Sequence, residues 1–198
     1  MSERPKRDLE ATREALAAAA EELLTACTDS DEVTSRAVAG LAGVNPAMIN
    51  YCYGSREELL YEVYRRLLAR AQQSDPELSA LMSADMPPKE RVCLIHYTMM
   101  RLMIANFGIS RAVTKFILLS RSEDAGLESL PYIMEHFAGR KSEQECRLIA
   151  FELSSLHETA VLQHQMLRER LGTDLTDNDT LMKYVRKSVD RFLTDKED

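Results

Sequence analysis

The residues between positions 45 and 51 combine amide, hydroxyl and small apolar side chains on one predicted helix. The five that matter are Asn45, Ala47, Met48, Asn50 and Tyr51. An asparagine amide can form two hydrogen bonds with the edge of an adenine, and alanine or methionine can contact a thymine methyl group. A tyrosine hydroxyl can donate a hydrogen bond to a phosphate. These side chains therefore have the chemistry needed to contact the bases and backbone of double-stranded DNA.

Two helix starts that flank this segment carry polar and basic groups. Ser55 and Arg56 open one predicted helix, whose free N–H groups and dipole attract anions. Thr34, Ser35 and Arg36 open another. We count all five with the candidate DNA-binding residues.

The elements that must position these groups are two short helices joined by a tight turn. Thr34 can cap the first helix, and Gly43 can adopt the positive φ angle that the turn requires. Asn45 can cap the second helix, with Pro46, a further candidate DNA-binding residue, at its first position. This spacing predicts a helix-turn-helix unit, whose second helix can enter the major groove of DNA.

Helical periodicity continues along the rest of the chain, and strand signals are scarce. Capping boxes at Ser55 with Glu58 and at Ser142 with Glu145 begin two helices, and Gly172 ends the longest one. About nine helices are predicted: 8–27, three opening near 34, 46 and 55, then 87–106, 110–120 (after a break at Gly108), 128–137, 142–171 and 179–193. The fold class is therefore all-α.

Composition limits the class of protein. The chain has 198 residues, four cysteines and a net charge of −7. The cysteines lie far apart without a CxxC pair, which argues against a disulfide framework or a zinc site and fits a reducing, cytoplasmic location. The charged N-terminus does not read as a signal peptide, and polar residues interrupt the most apolar segment, 93–109. We therefore expect no membrane span.

The distribution of charge is more informative than its total. Residues 1–72 contain 9 basic and 12 acidic residues, whereas Val33 to Arg56 contains two arginines and no acid. A net negative chain does not exclude DNA binding, because local charge decides contact with phosphates. The acids are kept away from the predicted DNA-binding face.

The first 70 residues resemble the DNA-binding domain of the TetR family of transcription regulators. The residues that match its motifs are Thr34, Val38, Ala39, Ala42, Gly43, Val44, Asn45, Pro46, Ala47, Ile49, Asn50, Tyr51, Gly54, Ser55, Glu57 and Leu59. Three positions depart from the pattern: Cys52 stands where His is frequent, Tyr53 replaces Phe and Arg56 replaces Lys. Arg56 keeps a cation, so the resemblance implies that its phosphate contact is retained.

The resemblance implies an Ω-shaped homodimer with a helix-turn-helix domain (1–54) and a helical ligand-sensing and dimerisation domain (55–198). In such regulators a small-molecule effector usually enters the sensing domain and releases the protein from a palindromic operator. The implied ligand-binding residues are His96, Met99, Met103, Phe107, Phe116, Tyr132, Phe137 and Phe151. The implied dimer residues are Leu153, Leu156, Ala160, His164, Leu167, Leu181, Val185, Val189 and Phe192. The apolar seam on the long helix is equally consistent with packing inside one chain.

Other functions remain open. The chain contains no HExxH, GxSxG, GxxxxGK[ST] or Glu-x-x-His motif, so we expect neither an enzyme nor a metal or cofactor site. A helical adaptor that does not bind DNA is one alternative, and a transcriptional activator of the same fold is another. The histidines His96, His157 and His164 are expected to be mainly structural. His157 and His164 share a face of the long helix, so contact with a ligand or with the dimer partner is the alternative. Cys52 is expected to face the core of the N-terminal domain rather than act as a redox switch.

Overall fold

The computed structural model describes residues 4–26, 32–73, 85–119 and 128–194, and within these ranges it is built from α-helices without a strand. The predicted all-α fold is confirmed. The helices within these four ranges number ten: α1 (Arg4–Ala26), α2 (Ser35–Leu41), α3 (Ala47–Tyr53), α4 (Arg56–Gln73), α5 (Pro88–Ala105), α6 (Phe107–Leu119), α7 (Leu130–Phe137), α8 (Glu143–Leu162), α9 (His164–Leu171) and α10 (Asn178–Phe192).

The first of two compact units contains α1 to α4 together with α6. Helix α1 contacts α2, α3 and α6, and α2 contacts α3. Its core includes fully buried Leu16 of α1, Val38 of α2, Ile49 of α3 and Leu60 of α4. This unit continues past residue 54, where the sequence analysis ends its first domain.

Ion pairs join α4 to α1 along their exposed sides. Arg66 Nη1 lies 2.8 Å from Glu14 Oε2, and Arg70 Nη2 lies 2.6 Å from Glu21 Oε2. Arg66 Nε also bonds Glu62 of its own helix at 3.0 Å. Exposed pairs of this kind contribute only about 0.2–1 kcal/mol each, so the buried apolar residues supply most of the stability of this unit.

The second unit contains α5 and α7 to α10. Helix α5 packs against α7, α8 and α10, and α8 also contacts α7, α9 and α10. Fully buried side chains from four of these helices meet here, among them Met100, Ile133, Leu153 and Val185. Helix α5 is therefore surrounded by its neighbours, and polar side chains on its buried face must find partners within the protein.

The single long helix predicted for 142–171 is wrong, because the helix is interrupted at Gln163. Helix α8 ends at Leu162, and α9 begins at His164. At the junction the Nδ1 atom of His164 lies 2.8 Å from the carbonyl oxygen of Val161. A side chain that competes for a helical carbonyl favours such a break. The sequence carries no proline or glycine at this point, so its periodicity gave no warning.

Predictions for the helix ends are mostly confirmed. Ser142 and Glu145 form a reciprocal capping box, and Gly172 ends α9 with a φ of 65°. The last helix begins at Asn178, one residue before the predicted 179, and Asp177 caps it by accepting a hydrogen bond from the N–H of Thr180 at 2.9 Å. The predicted break at Gly108 is wrong, because Gly108 lies inside α6 and Asn106 forms the turn. Glycine is tolerated in a helix when tertiary packing compensates for its low propensity.

None of the described helices combines the length and apolar character that crossing a membrane requires.

Candidate nucleic-acid interface and buried histidine pair

Helices α2 and α3 form the predicted helix-turn-helix. Thr34 caps α2, since its Oγ1 accepts a hydrogen bond from the N–H of Ala37 at 3.1 Å. Gly43 has a φ of 68° in the turn, and the next N–H, that of Val44, donates back to the carbonyl of Ala39 at 3.0 Å. The turn therefore depends on a left-handed residue at position 43, as predicted.

The start of α3 differs by one residue from the prediction. The Oδ1 atom of Asn45 accepts a hydrogen bond from the N–H of Ala47 at 2.9 Å, so its side chain satisfies a helix-terminal donor as expected. Pro46 precedes the first helical residue instead of occupying that position, although its φ of −53° and ψ of −29° are already helical. The amide oxygen of Asn45 is thus used to begin the helix.

Helix α3 has a buried side and an exposed side. Ile49 and Cys52 face inward, at 0% and 6% exposure. Ala47 and Asn50 are exposed, and Tyr51 exposes 72% of its surface. Asn45 and Pro46 are also exposed, and Met48 is half-buried. The predicted base- and phosphate-contacting side chains of α3 therefore lie mainly in solvent, on the side away from the core.

The residues that open α2 and α4 have more varied surroundings. Thr34 and Arg36 are exposed, whereas Ser35 is half-buried. Ser55 accepts a hydrogen bond from the N–H of Glu58 at 3.0 Å. Arg56 is half-buried, and its Nε donates to the carbonyl of Val33 at 2.6 Å while Nη1 pairs with Glu57 at 3.2 Å. Arg56 therefore also braces α4 against the segment before α2, and its phosphate contact stays a prediction.

Arg13 of α1 holds the end of α3, and the sequence analysis missed it. Its Nη1 donates to the carbonyl of Cys52, and its guanidinium carbon lies 4.4 Å from the ring centroid of Tyr53. The hydroxyl of Tyr53 donates back to the carbonyl of Arg13 at 2.8 Å. Burial raises the pKa of Tyr53. The hydroxyl that distinguishes Tyr53 from the Phe of the resembled motif was the one available signal, because it needs a partner.

In the second unit, two buried histidines join four helical segments through side-chain hydrogen bonds. The Nδ1 atoms of His96 (α5) and His157 (α8) are 2.9 Å apart. His96 Nε2 lies 3.2 Å from the hydroxyl of Ser129, just before α7. His157 Nε2 lies 2.6 Å from the hydroxyl of Ser188 in α10. Each ring nitrogen of both residues therefore has a partner, although both side chains are more than nine-tenths buried.

Both imidazoles are neutral at pH 7. Burial lowers the pKa of His96 from 6.5 to about 4. Burial and the neighbouring His96 lower the pKa of His157 well below 6.5. The cause is the loss of water around a group that would otherwise carry charge.

The pair forms part of the wall of a cavity of about 70 Å³ in the second unit. Three methionines and two carboxylates also contribute to its lining, which consists of Ile95, His96, Met99, Met100, Met103, Glu128, Ser129, Ser154, His157 and Glu158. The cavity is smaller than the roughly 300–1,000 Å³ typical of drug-sized ligand sites. As it stands it has room for a few water molecules, each needing about 10–15 Å³.

The structure brings only some of the predicted ligand-binding residues to this cavity. His96, Met99 and Met103 line it, together with Ser129, Ser154 and His157, which are outside the predicted ligand-binding set. The other predicted residues lie elsewhere: Phe107 is half-buried at the start of α6, Tyr132 is half-buried beneath Arg91, Phe137 is buried at the end of α7, Phe151 is 47% exposed, and the side chain of Phe116 lies outside the described residues.

The predicted dimer residues also divide into two groups. Five are buried within the single chain: Leu153, Ala160, Leu181, Val185 and Val189. Four are half-buried: Leu156, His164, Leu167 and Phe192. The buried group packs between α5, α8 and α10, so part of the apolar seam is used within a single chain.

Among the described residues, no group of three or more histidine, cysteine, aspartate or glutamate side chains is arranged to hold a metal ion. Cys52, Cys93 and Cys146 are free and buried, which agrees with the expectation that Cys52 faces the core. Burial raises the pKa of the Cys93 thiol to about 11.

No protein-family model matches the chain, and no curated protein matches it either.

Proposed function

We propose that this chain is a sequence-specific DNA-binding transcription regulator of the TetR type. Its most direct support is the outward side of α3, where Asn50 and Tyr51 are exposed and Ile49 is fully buried. A reading helix needs base-contacting groups in solvent and a rigid attachment on the opposite side. Asn50 would contact a base edge, and Tyr51 would contact a phosphate.

Charge around α3 also supports the proposal. The 24-residue stretch 33–56 carries two arginines and no carboxylate in a chain whose net charge is −7. Of these arginines, Arg36 is exposed, whereas Arg56 is half-buried against Val33. Arg36 is therefore the better candidate for a phosphate contact within this stretch, and Arg56 would act partly by bracing α4.

In the complete proposal, the protein works in the cytoplasm as a homodimeric repressor on a palindromic operator. A small-molecule effector bound by the second unit would release it. The cavity lined by His96, Met99 and Met103 supports an effector site in this unit. Support for the homodimer is the resemblance itself, together with half-buried Leu156, Leu167 and Phe192.

The proposal is tested by selecting DNA from a random duplex library with the full chain and measuring affinity for the enriched site over a range of salt. Enrichment of a two-fold symmetric sequence is expected, with half-sites separated by about 34–36 Å or a multiple of it. Asn50→Ala should change the selected bases, whereas Tyr51→Ala should weaken binding to all sequences. Failure to enrich any sequence would favour the helical adaptor that does not bind DNA.

Two exposed arginines provide a matched comparison. Arg36 lies on α2 within the acid-free stretch, and Arg65 lies on α4 outside it. Arg36→Ala should reduce the slope of log affinity against log salt by about one. Arg65→Ala should leave the slope unchanged. Equal slopes for the two variants would contradict an interface centred on α2 and α3.

A further inference from the structure

The two buried histidines point the same ring atom at each other. Their Nδ1 atoms are 2.9 Å apart, and each Nε2 is held by a serine hydroxyl, Ser129 for His96 and Ser188 for His157. A histidine that binds a metal ion through one ring nitrogen almost always has the other held by a hydrogen bond, which fixes its orientation. Both histidines of the pair have this arrangement, because the Nε2 atom of each is held while the Nδ1 atoms face each other.

The protons in this chain of hydrogen bonds can be assigned from its Ser188 end. The Ser188 Oγ lies 2.9 Å from the carbonyl oxygens of both Tyr184 and Val185, so the hydroxyl proton must point toward them. Ser188 therefore accepts a hydrogen bond from the Nε2–H of His157. The Nδ1 of His157 then carries a lone pair, which accepts the Nδ1–H of His96.

One tautomeric change converts the pair into a two-nitrogen ligand set. When the His96 proton moves from Nδ1 to Nε2, it can be donated to Ser129, whose hydroxyl turns to accept it. The number of protons is unchanged. Two Nδ1 lone pairs then face each other, an arrangement that is repulsive unless a cation lies between them.

The surroundings of the pair favour a soft, singly charged metal ion. Met99, Met100 and Met103 line the same cavity, and thioether sulfur together with imidazole selects Cu(I) over Mg²⁺ or Ca²⁺. Glu128 and Glu158 also line the cavity and can offset one buried positive charge. A tetrahedral ion such as Zn²⁺ would need three or four ligands, and the described residues offer no such group of His, Cys, Asp and Glu.

An ion between the two Nδ1 atoms would require little additional space. Metal–nitrogen bonds of about 2 Å would place the two Nδ1 atoms about 4 Å apart, so the pair would have to open by roughly 1 Å. The adjoining cavity of about 70 Å³ can accept that movement. The geometry points to a binding site for one Cu(I) ion between the Nδ1 atoms of His96 and His157, beside the cavity that Met99, Met100 and Met103 help to line.

Binding of the ion does not depend on DNA binding, whereas a role for the ion as effector rests on the proposed function. The test therefore begins without DNA. The full, reduced chain with ¹⁵N-labelled histidine is titrated with Ag(I), a redox-stable substitute for Cu(I), and the ring nitrogens are observed by NMR. The Nδ1 signals of His96 and His157 should shift at one equivalent, and those of His136 and His164 should not.

Substitutions then separate the pair from the cysteines, which also bind soft metals. His157→Gln places an amide near the position of Nε2, keeping a partner for Ser188 while removing Nδ1. It should lower the affinity for Cu(I), measured anaerobically against a chelator, by at least about 100-fold. Ser188→Ala should lower it by about 10–100-fold. The control His164→Gln removes a half-buried histidine outside the cavity and should leave the affinity unchanged.

Several results would overturn the site. The first is that the Nδ1 signals of His96 and His157 in the wild-type chain do not shift when Ag(I) is added. This measurement does not depend on whether any variant folds. Another is equal Cu(I) affinity in His157→Gln and His164→Gln, which would place the ion on the thiols. Equally tight binding of Zn²⁺ at the pair would contradict a two-nitrogen site for soft ions. If Ag(I) binds at the pair but no DNA is ever selected, the metal site stands and the regulator proposal fails.

Discussion

Tyr51 on α3 exposes 72% of its surface, whereas His157 on α8 exposes 3%. The side chains on the outer side of α3 can be replaced without opening a core, and their proposed function depends on what they meet in solvent. The histidine pair is held by hydrogen bonds that join α5, α8, α10 and Ser129, just before α7, so any change there also affects the fold. We therefore expect substitutions on the outer side of α3 to change function without changing stability, and substitutions at the histidine pair to change both.

Lowering the pH should have the largest effect on stability, and this effect should come from the histidine pair. Because the folded-state pKa values of His96 and His157 lie below the unfolded value of 6.5, the unfolded chain takes up protons first as the pH falls. The contribution of the two histidines to stability should be constant above about pH 7 and decrease below it. His96 alone should contribute a loss of about 2 kcal/mol by pH 5, and His157 adds a loss of the same sign.

Urea unfolding between pH 7 and pH 5 measures this effect, at pH values where most carboxylates remain charged. The double variant His96→Gln with His157→Gln is the control, and its stability should depend less on pH in this range. If the wild type and the double variant lose the same free energy from pH 7 to pH 5, the histidine pair is not the source of the acid sensitivity.

The turn before α3 provides a second, smaller test, on the scaffold of the exposed helix. Gly43 has a φ of 68°, whereas Gly40 lies in α2, and a Cβ atom added at either position meets nothing within 4 Å. The two glycines therefore differ in backbone conformation and not in available space. Gly43→Ala should destabilise the protein by about 1–2 kcal/mol. Gly40→Ala should stabilise it by up to about 1 kcal/mol.

Chemical denaturation of the Gly43→Ala and Gly40→Ala variants tests whether the backbone conformation at position 43, and not the space around an added Cβ atom, determines stability. Destabilisation of similar size in both would show that the helix-turn-helix does not depend on a left-handed residue at position 43.

The link between α1 and α3 should have a still smaller effect. Arg13→Lys keeps the positive charge but removes the planar group that lies against Tyr53 and bonds the carbonyl of Cys52. A loss of about 1 kcal/mol in unfolding free energy is expected, the usual net value of one hydrogen bond. Arg65→Lys, at an exposed site of α4, should cause no measurable loss, and an equal loss in both variants would remove this role from Arg13.

The helix-turn-helix could be predicted from the sequence, whereas the histidine pair could not. The helix-turn-helix is specified by neighbours along the chain: Thr34 caps α2, Gly43 turns, and Asn45 begins α3. Such local signals can be read directly from residue types. The long-range contacts of this unit were not predicted, because the bonded residues lie far apart in the sequence. Arg13 is 39 positions from Cys52 and 40 from Tyr53, and Arg56 is 23 positions from Val33.

The histidine pair left no local signal at all. His96 and His157 are 61 positions apart, and their serine partners lie a further 33 and 31 positions away from them. His157 on its helix was indistinguishable from a structural histidine until α5 and α8 were packed together. The break at Gln163 escaped for a related reason, since it depends on a side chain that bonds a carbonyl instead of on a helix-breaking residue.

The most direct test of the central claim, that the outer side of α3 binds DNA, is a single substitution at Ala47. This exposed residue begins α3, where a carboxylate is favourable for a helix, so Ala47→Glu should leave the free energy of unfolding within about 0.5 kcal/mol of wild type. The same carboxylate would face phosphate in a complex. We expect a loss of at least about 100-fold in affinity for the duplex that the wild-type chain selects, with the fold intact. Unchanged affinity would show that the outer side of α3 does not bind DNA.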